Sequence, residues 1–134
     1  MTGKVSFELV SPERLLMSAQ VDMAVIPGSE GDFAVLAGHA PMISTVRPGV
    51  LEVHEQDGGE VVRIFVRGGF SEVALDRLTV LAEEAIMIAD LDRAALEQHI
   101  QDAREDLEDA RTDAERETAH AILDKFEEIR AALA

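Results

Sequence analysis

The sequence predicts an all-β region, a sandwich or barrel of nine or ten short strands, followed by two antiparallel helices. Two observations carry this. Apolar residues recur with a period of two through residues 1–89 and with a period of 3.5 afterwards. All nine glycines and all four prolines lie within 1–89, and none lies in 90–134. Glycine and proline punctuate turns and interrupt helices, so this is a boundary between a turn-rich and a turn-free region. It divides the chain into 1–89 and 90–134.

The strands follow from the alternation. Val62, Ile64 and Val66 alternate with Arg63, Phe65 and Arg67; Leu51 and Val53 alternate with Glu52 and His54; Leu78, Val80 and Ala82 alternate with Thr79, Leu81 and Glu83. Such a pattern buries one face of a strand. Gln56-Asp57-Gly58-Gly59 separates two of these runs and marks a hairpin, because glycine accepts the positive φ of tight turns. Asp76-Arg77 is a weaker turn between 73–75 and 78–80. Further strands are expected at 5–10, 15–26, 33–36, 42–46 and 86–89.

The helices follow from the longer period. Leu96, Ile100, Ala103, Leu107 and Ala110 form one stripe, and Ala119, Ile122, Phe126, Ile129 and Leu133 form a second. Asp90 or Asp92 is placed to cap the first helix. Thr112-Asp113-Ala114-Glu115 has the spacing of a capping box, with the Thr112 hydroxyl on the N3 amide and Glu115 reaching back to the Thr112 amide. The pair is expected as a thin-cored hairpin, either packed statically on the β region or able to swing onto a partner.

Composition excludes several functions. The net charge of −15 disfavours nucleic acid and anionic lipid surfaces. There is no cysteine, hence no disulfide or thiol chemistry. No apolar run approaches the roughly 20 residues of a membrane span, and the first residues have no signal-peptide character. The chain is therefore expected to be soluble and to stay where it is made.

Catalytic signatures are also missing. The histidines at 39, 54, 99 and 120 fit no metal-ligand spacing, and His54, His99 and His120 are expected on the solvated surface. Ser29, His39 and Asp32 could be imagined as a triad, but no G-x-S-x-G elbow accompanies them. The carboxylate pairs Glu83-Glu84 and Glu127-Glu128 are expected as solvated faces. Gly28-Ser29-Glu30-Gly31 lacks the lysine of a phosphate loop and places an acid where phosphate would sit. The stretch GSEGDFAVLAGHAPM at 28–42 is instead stiff and non-reactive. Gly28, Gly31 and Gly38 are available for positive φ, while Pro27 and Pro41 stiffen the flanks. Such a segment suits docking better than catalysis.

The order of segments resembles the epsilon subunit of bacterial F-type ATP synthase. The likeness is carried by Val10-Ser11-Pro12-Glu13, by GSEGDFAVLAGHAPM, by Pro48-Gly49 and Gly68-Gly69, and by Thr79-Val80-Leu81-Ala82 and Asp90-Leu91-Asp92. The resemblance implies a flattened ten-stranded β-sandwich followed by a two-helix hairpin. It implies a non-catalytic rotor subunit of the central stalk, peripheral on the cytoplasmic face of the inner membrane, without a cofactor. Its implied partners are the gamma subunit and the c-subunit ring, with the alpha and beta subunits in reach of the helices, and no nucleic acid or direct lipid contact. Glu30 and Asp32 fall where the family meets the c ring; Ser11, His39 and Ser44 fall where it meets gamma.

Two departures are visible. Some family members bind ATP through a D-x-x-R-A motif; here Asp92 is followed by Arg93, Ala94 and Ala95, so alanine stands in the arginine's place. A guanidinium is the group that grips phosphate bidentately, and no nucleotide-binding residue is assigned. Residues 90–134 also carry 14 acids against 6 bases, a net of −8. Such an arm is repelled by the acidic target that the family's inhibitory arm approaches, and weak or absent inhibition is expected.

Overall fold

The computed structural model describes residues 3–56 and 58–133, the side chain of Leu133 excepted. The chain divides into two compact units, 1–89 and 90–134.

Among the described residues the first unit holds ten strands: β1 (Val5–Val10), β2 (Leu15–Val21), β3 (Met23–Gly28), β4 (Gly31–Val35), β5 (Met42–Thr45), β6 (Gly49–His54), β7 (Val61–Arg67), β8 (Phe70–Ala74), β9 (Arg77–Leu81) and β10 (Glu84–Met87). One sheet has the order β2-β1-β9-β8-β5 and the other β10-β7-β6-β3-β4. Neighbours pair antiparallel except β1 with β9, which run parallel. The core is the inward half of the alternation: Val5, Phe7, Leu9, Ile26, Leu51, Val53, Ile64, Val66, Leu78 and Val80 are buried. Burying such a side chain stabilises by about 1.5–3 kcal/mol. A one-residue slip would turn every one of them outward, so the pattern itself holds the register.

Four expectations need correction. Residues 15–26 form two strands, broken at Asp22, whose amide donates to His54 O at 2.8 Å and whose carboxylate pairs with Lys4 at 2.8 Å. The chain leaves one sheet and enters the other at this point, which alternation alone does not reveal. Phe65, expected to face outward, is fully buried beside Ile64 and Val66, although it lies outside the sandwich core. The strand expected at 86–89 ends at Met87 and runs into a 3-10 turn, Ile88–Asp90. The turn expected at Asp76-Arg77 sits one residue earlier. Leu75 has φ of 55°, and Arg77 already belongs to β9. The hairpin between β6 and β7 closes with Gly59 N donating to Gln56 O at 2.9 Å; Asp57 lies outside the described residues.

The second unit holds α1 (Arg93–Asp109) and α2 (Asp113–Leu133). Asp92 caps α1, accepting from the Ala95 amide at 2.7 Å. Thr112 caps α2, its hydroxyl accepting from Glu115 N at 3.1 Å. The reciprocal half of the capping box is shifted by one residue. Glu115 accepts from the Arg111 amide at 2.8 Å rather than from that of Thr112. The helices run antiparallel, with Arg130 near the end of α2 donating to both Glu97 oxygens near the start of α1, each at 3.3 Å. Both expected stripes are realised where described, and Leu123 is buried beside the second. His99 corrects the surface reading. It is half-buried and stacks on Phe126 at 5.0 Å between centroids and 7° between planes.

Candidate docking surface

Strand directions sort the loops of the sandwich into two ends. One end collects the β1–β2 turn, the β3–β4 turn, the β5–β6 connection and the β7–β8 turn. The other collects the β4–β5 loop and the β8–β9 turn. The site residues read from the sequence are divided between them.

At the first end, Glu30 forms the tip of the β3–β4 hairpin and is exposed. Among the described residues it has no hydrogen bond or ion pair. The tip is held from both sides. Within the hairpin, Pro27 pairs with Asp32 and Gly28 with Gly31. Across to the end of β5, Ser29 N donates to Thr45 O at 3.0 Å, Arg47 N donates to Pro27 O at 2.9 Å, and Gly28 bridges Val46. Val46 N in turn reaches Gly69 O at 3.1 Å. The hairpin of one sheet is thus tied by its backbone to an edge strand of the other.

The two glycines of the tip do different things. Gly31 adopts φ of 127°, which a side chain would resist. Gly28 does not have a positive φ and corrects the expectation. A Cβ there would stand 2.9 Å from Gly31 O and 2.9 Å from a Phe33 ring carbon, so the glycine serves close approach.

Asp32, on β4, is 61% exposed but not free: its carboxylate accepts from the Arg47 guanidinium. Sequence reasoning missed Arg47. It lies 15 residues away, and only the return of β5 toward the hairpin brings it close.

Ser11 sits at the same end, in the β1–β2 turn, where its amide donates to Arg14 O at 2.9 Å and its hydroxyl bonds the Arg14 backbone at 3.3 Å. Ser44 is on edge strand β5, paired with buried Ser71. His39 is at the opposite end, in the β4–β5 loop. Its Nδ1 lies 2.7 Å from Ala40 O, and its ring centroid is 6.4 Å from that of Phe33. Gly38 N donates to Asp76 Oδ1 at 3.0 Å and pins this loop to the β8–β9 turn. Ser11 and His39 are therefore separated by the length of a strand, about 17–20 Å. The His39 ring lies against Phe33, and among the described residues no hydrogen bond joins it to Ser29 or Asp32, so the imagined triad is not formed.

The outer face of the five-stranded sheet containing β5 carries an apolar row. The register places Leu15 beside Val10, Val10 beside Leu81 and Leu81 beside Phe70. On β5 the partner of Phe70 is Thr45, and Ile43, two residues earlier and opposite Glu72, is 69% exposed. The row ends close to the tip that carries Glu30. It is a contact-ready strip on a face whose remaining positions, such as Glu8, Thr79 and Glu72, are polar.

Other groups do not converge. Among the described residues, no cluster of three or more His, Asp or Glu is placed to hold a metal ion. A cavity of about 760 Å³ in the helical unit is lined by Arg93, Arg130, Glu97 and Glu127 with Leu91, Leu96 and Ala131. Its two cations face two anions, and Arg130 is engaged by both Glu97 and Glu127, the latter at 3.7 Å. No helix among the described residues is long and apolar enough to cross a membrane.

Comparison with known proteins agrees with this architecture over both units. Residues 4–88 match the family described as the beta-sandwich domain of the ATP synthase Delta/Epsilon chain. Residues 92–124 match the family described as the C-terminal domain of the ATP synthase epsilon chain. The ATP synthase epsilon chain of Parvibaculum lavamentivorans is 55% identical over 130 residues, covering 97% of this chain and 98% of that one. That of Maricaulis maris is 48% identical over 134 residues, covering 100% and 99%. Among solved structures, a chain of the Euglena gracilis mitochondrial ATP synthase, seen in an OSCP/F1/c-ring assembly, superposes with a TM-score of 0.76 at 26% identity. The match covers all of this chain and 84% of that one. With both units matched and near-complete overlap with its relatives, the chain belongs to the ATP synthase epsilon chain family.

Proposed function

We propose that this chain is a non-catalytic subunit of the central stalk of a proton-translocating F-type ATP synthase, and that it couples the c-subunit ring to the gamma subunit during ATP synthesis. In this reading it is peripheral, on the cytoplasmic face of the bacterial inner membrane. The end of the sandwich bearing Glu30 and Asp32 meets the c ring. The sheet edge and outer face bearing Ser11, Ser44 and the Leu15–Val10–Leu81–Phe70 row meet gamma, with His39 at the far end of the same contact.

The observation that carries this is the tip itself. Glu30 is presented on a two-residue turn whose backbone is bonded to a strand of the other sheet. A subunit that transmits torque needs a lip that does not yield, and charge placed there steers and registers an oppositely charged or amide-rich partner. The relative from Euglena sits in an assembly that includes a c ring, which supports the same placement here.

The helices are assigned a minor regulatory role. A nucleotide-sensing inhibitor is the alternative reading, and the helical cavity is where it would act. The cavity supports it poorly, because Ala95 supplies no guanidinium and Arg130 is already engaged by two carboxylates. The test is purification of the full-length protein from detergent-solubilised membranes. Co-purification of gamma and the c ring is expected; recovery of the protein alone would contradict the reading. Titration of ATP into the isolated protein should give no heat of binding, and millimolar or tighter binding would restore the alternative.

A further inference from the structure

The charge at the docking tip is smaller than the sequence implies, because one of its two acids is already neutralised. We propose that Arg47 is the positioning residue of the β3–β4 hairpin and that Asp32 acts through it, leaving Glu30 as the anion offered to the c ring. This assignment rests on the reading of the hairpin as the c-ring contact.

Three observations place Arg47 in this role. Its guanidinium holds Asp32 on β4, while its own amide donates to Pro27 O on β3 at 2.9 Å. Pro27 and Asp32 are register partners, so a single residue grips both strands of the hairpin at the same rung. Gly49 packs against the same rung. A Cβ at Gly49 would lie 2.8 Å from Pro27 Cβ and 3.4 Å from Arg47 Nη1. The absence of a side chain at Gly49 therefore makes room for Pro27, and the Arg47 guanidinium lies at ordinary contact distance from the same place.

An exposed ion pair contributes little to global stability, at most about a fivefold change in an equilibrium. Its consequence here is local. With Asp32 paired, the tip presents one uncompensated carboxylate, set two residues from the clamped rung. A guanidinium is suited to this because its planar fork holds a carboxylate in a fixed direction, whereas an ammonium acts as a point charge.

The two possible roles of Asp32 predict opposite signs. If Asp32 touched the partner directly, removing Arg47 would free an anion and strengthen binding. If Asp32 acts through Arg47, removing Arg47 loosens the hairpin and weakens it. The experiment measures affinity of full-length variants for the isolated complex of c ring and gamma, with circular dichroism melting to establish the fold. Arg47→Met is expected to weaken binding about two- to fivefold, and Arg47→Lys, which retains a cation, by less. Asp32→Arg alone is expected to weaken binding, and the exchanged variant Asp32→Arg with Arg47→Asp to recover most of the loss, because the pair is rebuilt in reverse. Tighter or unchanged binding by Arg47→Met overturns the assignment. So does an exchanged variant that melts like the parent but binds no better than Asp32→Arg. Glu30→Gln separates the two levels: weaker binding supports the docking reading, whereas parental affinity overturns that reading and this assignment with it.

Discussion

Replacing Gly28 and Gly31 by alanine, one at a time, tests whether the docking tip is held by close packing at one position and by backbone geometry at the other. At Gly28 the new Cβ would sit 2.9 Å from Gly31 O and from a Phe33 ring carbon, well inside the ordinary 3.5–4.0 Å carbon contact. Phe33 is half-buried and could turn, but Gly31 O belongs to the same turn and can retreat only by opening the rung between Gly28 and Gly31. Overpacking of this kind costs about 1–3 kcal/mol. Loss of unfolded-state freedom on Gly→Ala offsets about 0.4–1 kcal/mol, so a net destabilisation of about 0.5–2 kcal/mol is expected. At Gly31 nothing lies within 4 Å of the added carbon, yet φ is 127°. There the cost is conformational, about 1–3 kcal/mol for a side chain held in a sparsely populated region, with the same offset. Urea unfolding followed by far-ultraviolet circular dichroism reads both, provided the slope with denaturant is unchanged. A Gly31→Ala variant as stable as the parent would show that the tip relaxes away from this geometry. A neutral Gly28→Ala would show that it is loosely packed. Either result refutes a rigid lip.

Three further outcomes are expected. Asp92→Ala removes the side chain that accepts from Ala95 N and should destabilise α1 by about 1 kcal/mol, seen as faster amide exchange in its first turn with the sandwich unaffected. Leu75→Gly should stabilise the sandwich by up to about 1 kcal/mol, because Leu75 is 83% exposed and held at φ of 55° in the region that costs an L residue about 1–2 kcal/mol; a drop in melting temperature would show that the leucine makes a contact that matters. Deletion of residues 90–134 should leave ATP hydrolysis by the assembled enzyme nearly unchanged, since an arm of net charge −8 is repelled by an acidic target over the roughly 8 Å that salt leaves unscreened; a several-fold rise in rate would show the arm to be inhibitory.

The elements legible in the sequence were those whose signal is local. Val5–Val10, with its strict alternation, appears at its predicted bounds, the Thr112 cap lies where its spacing placed it, and of the two candidates Asp90 and Asp92 it is Asp92 that caps α1. Two of the misreadings share a cause: they depend on residues distant in the chain. Apolar residues at 17, 19, 21, 23 and 25 read as one alternation through 15–26, whereas the buried positions change phase from Val21 to Ala24 and Ile26 where the chain changes sheet at Asp22, held by Lys4 and His54. Phe65 reads as an outward position, and its burial is set by the tertiary environment of that face. The same holds for the site. The glycine-framed segment announced a stiff loop and two acids, but the ion pair that separates Asp32 from Glu30 needs Arg47, delivered by β5. Ser11 and His39, which the resemblance assigns to one partner, lie at opposite ends of the strands, a spacing that only strand direction reveals.

The most direct test of the docking account uses the absence of cysteine from the sequence. Glu30→Cys creates a single reactive thiol at the tip, to which a short photoactivatable cross-linker can be attached in the assembled complex. The account predicts a covalent product with the c subunit and slowed or blocked rotation-coupled ATP synthesis on illumination. A product with another subunit, or none while the labelled protein remains in the complex, would contradict it.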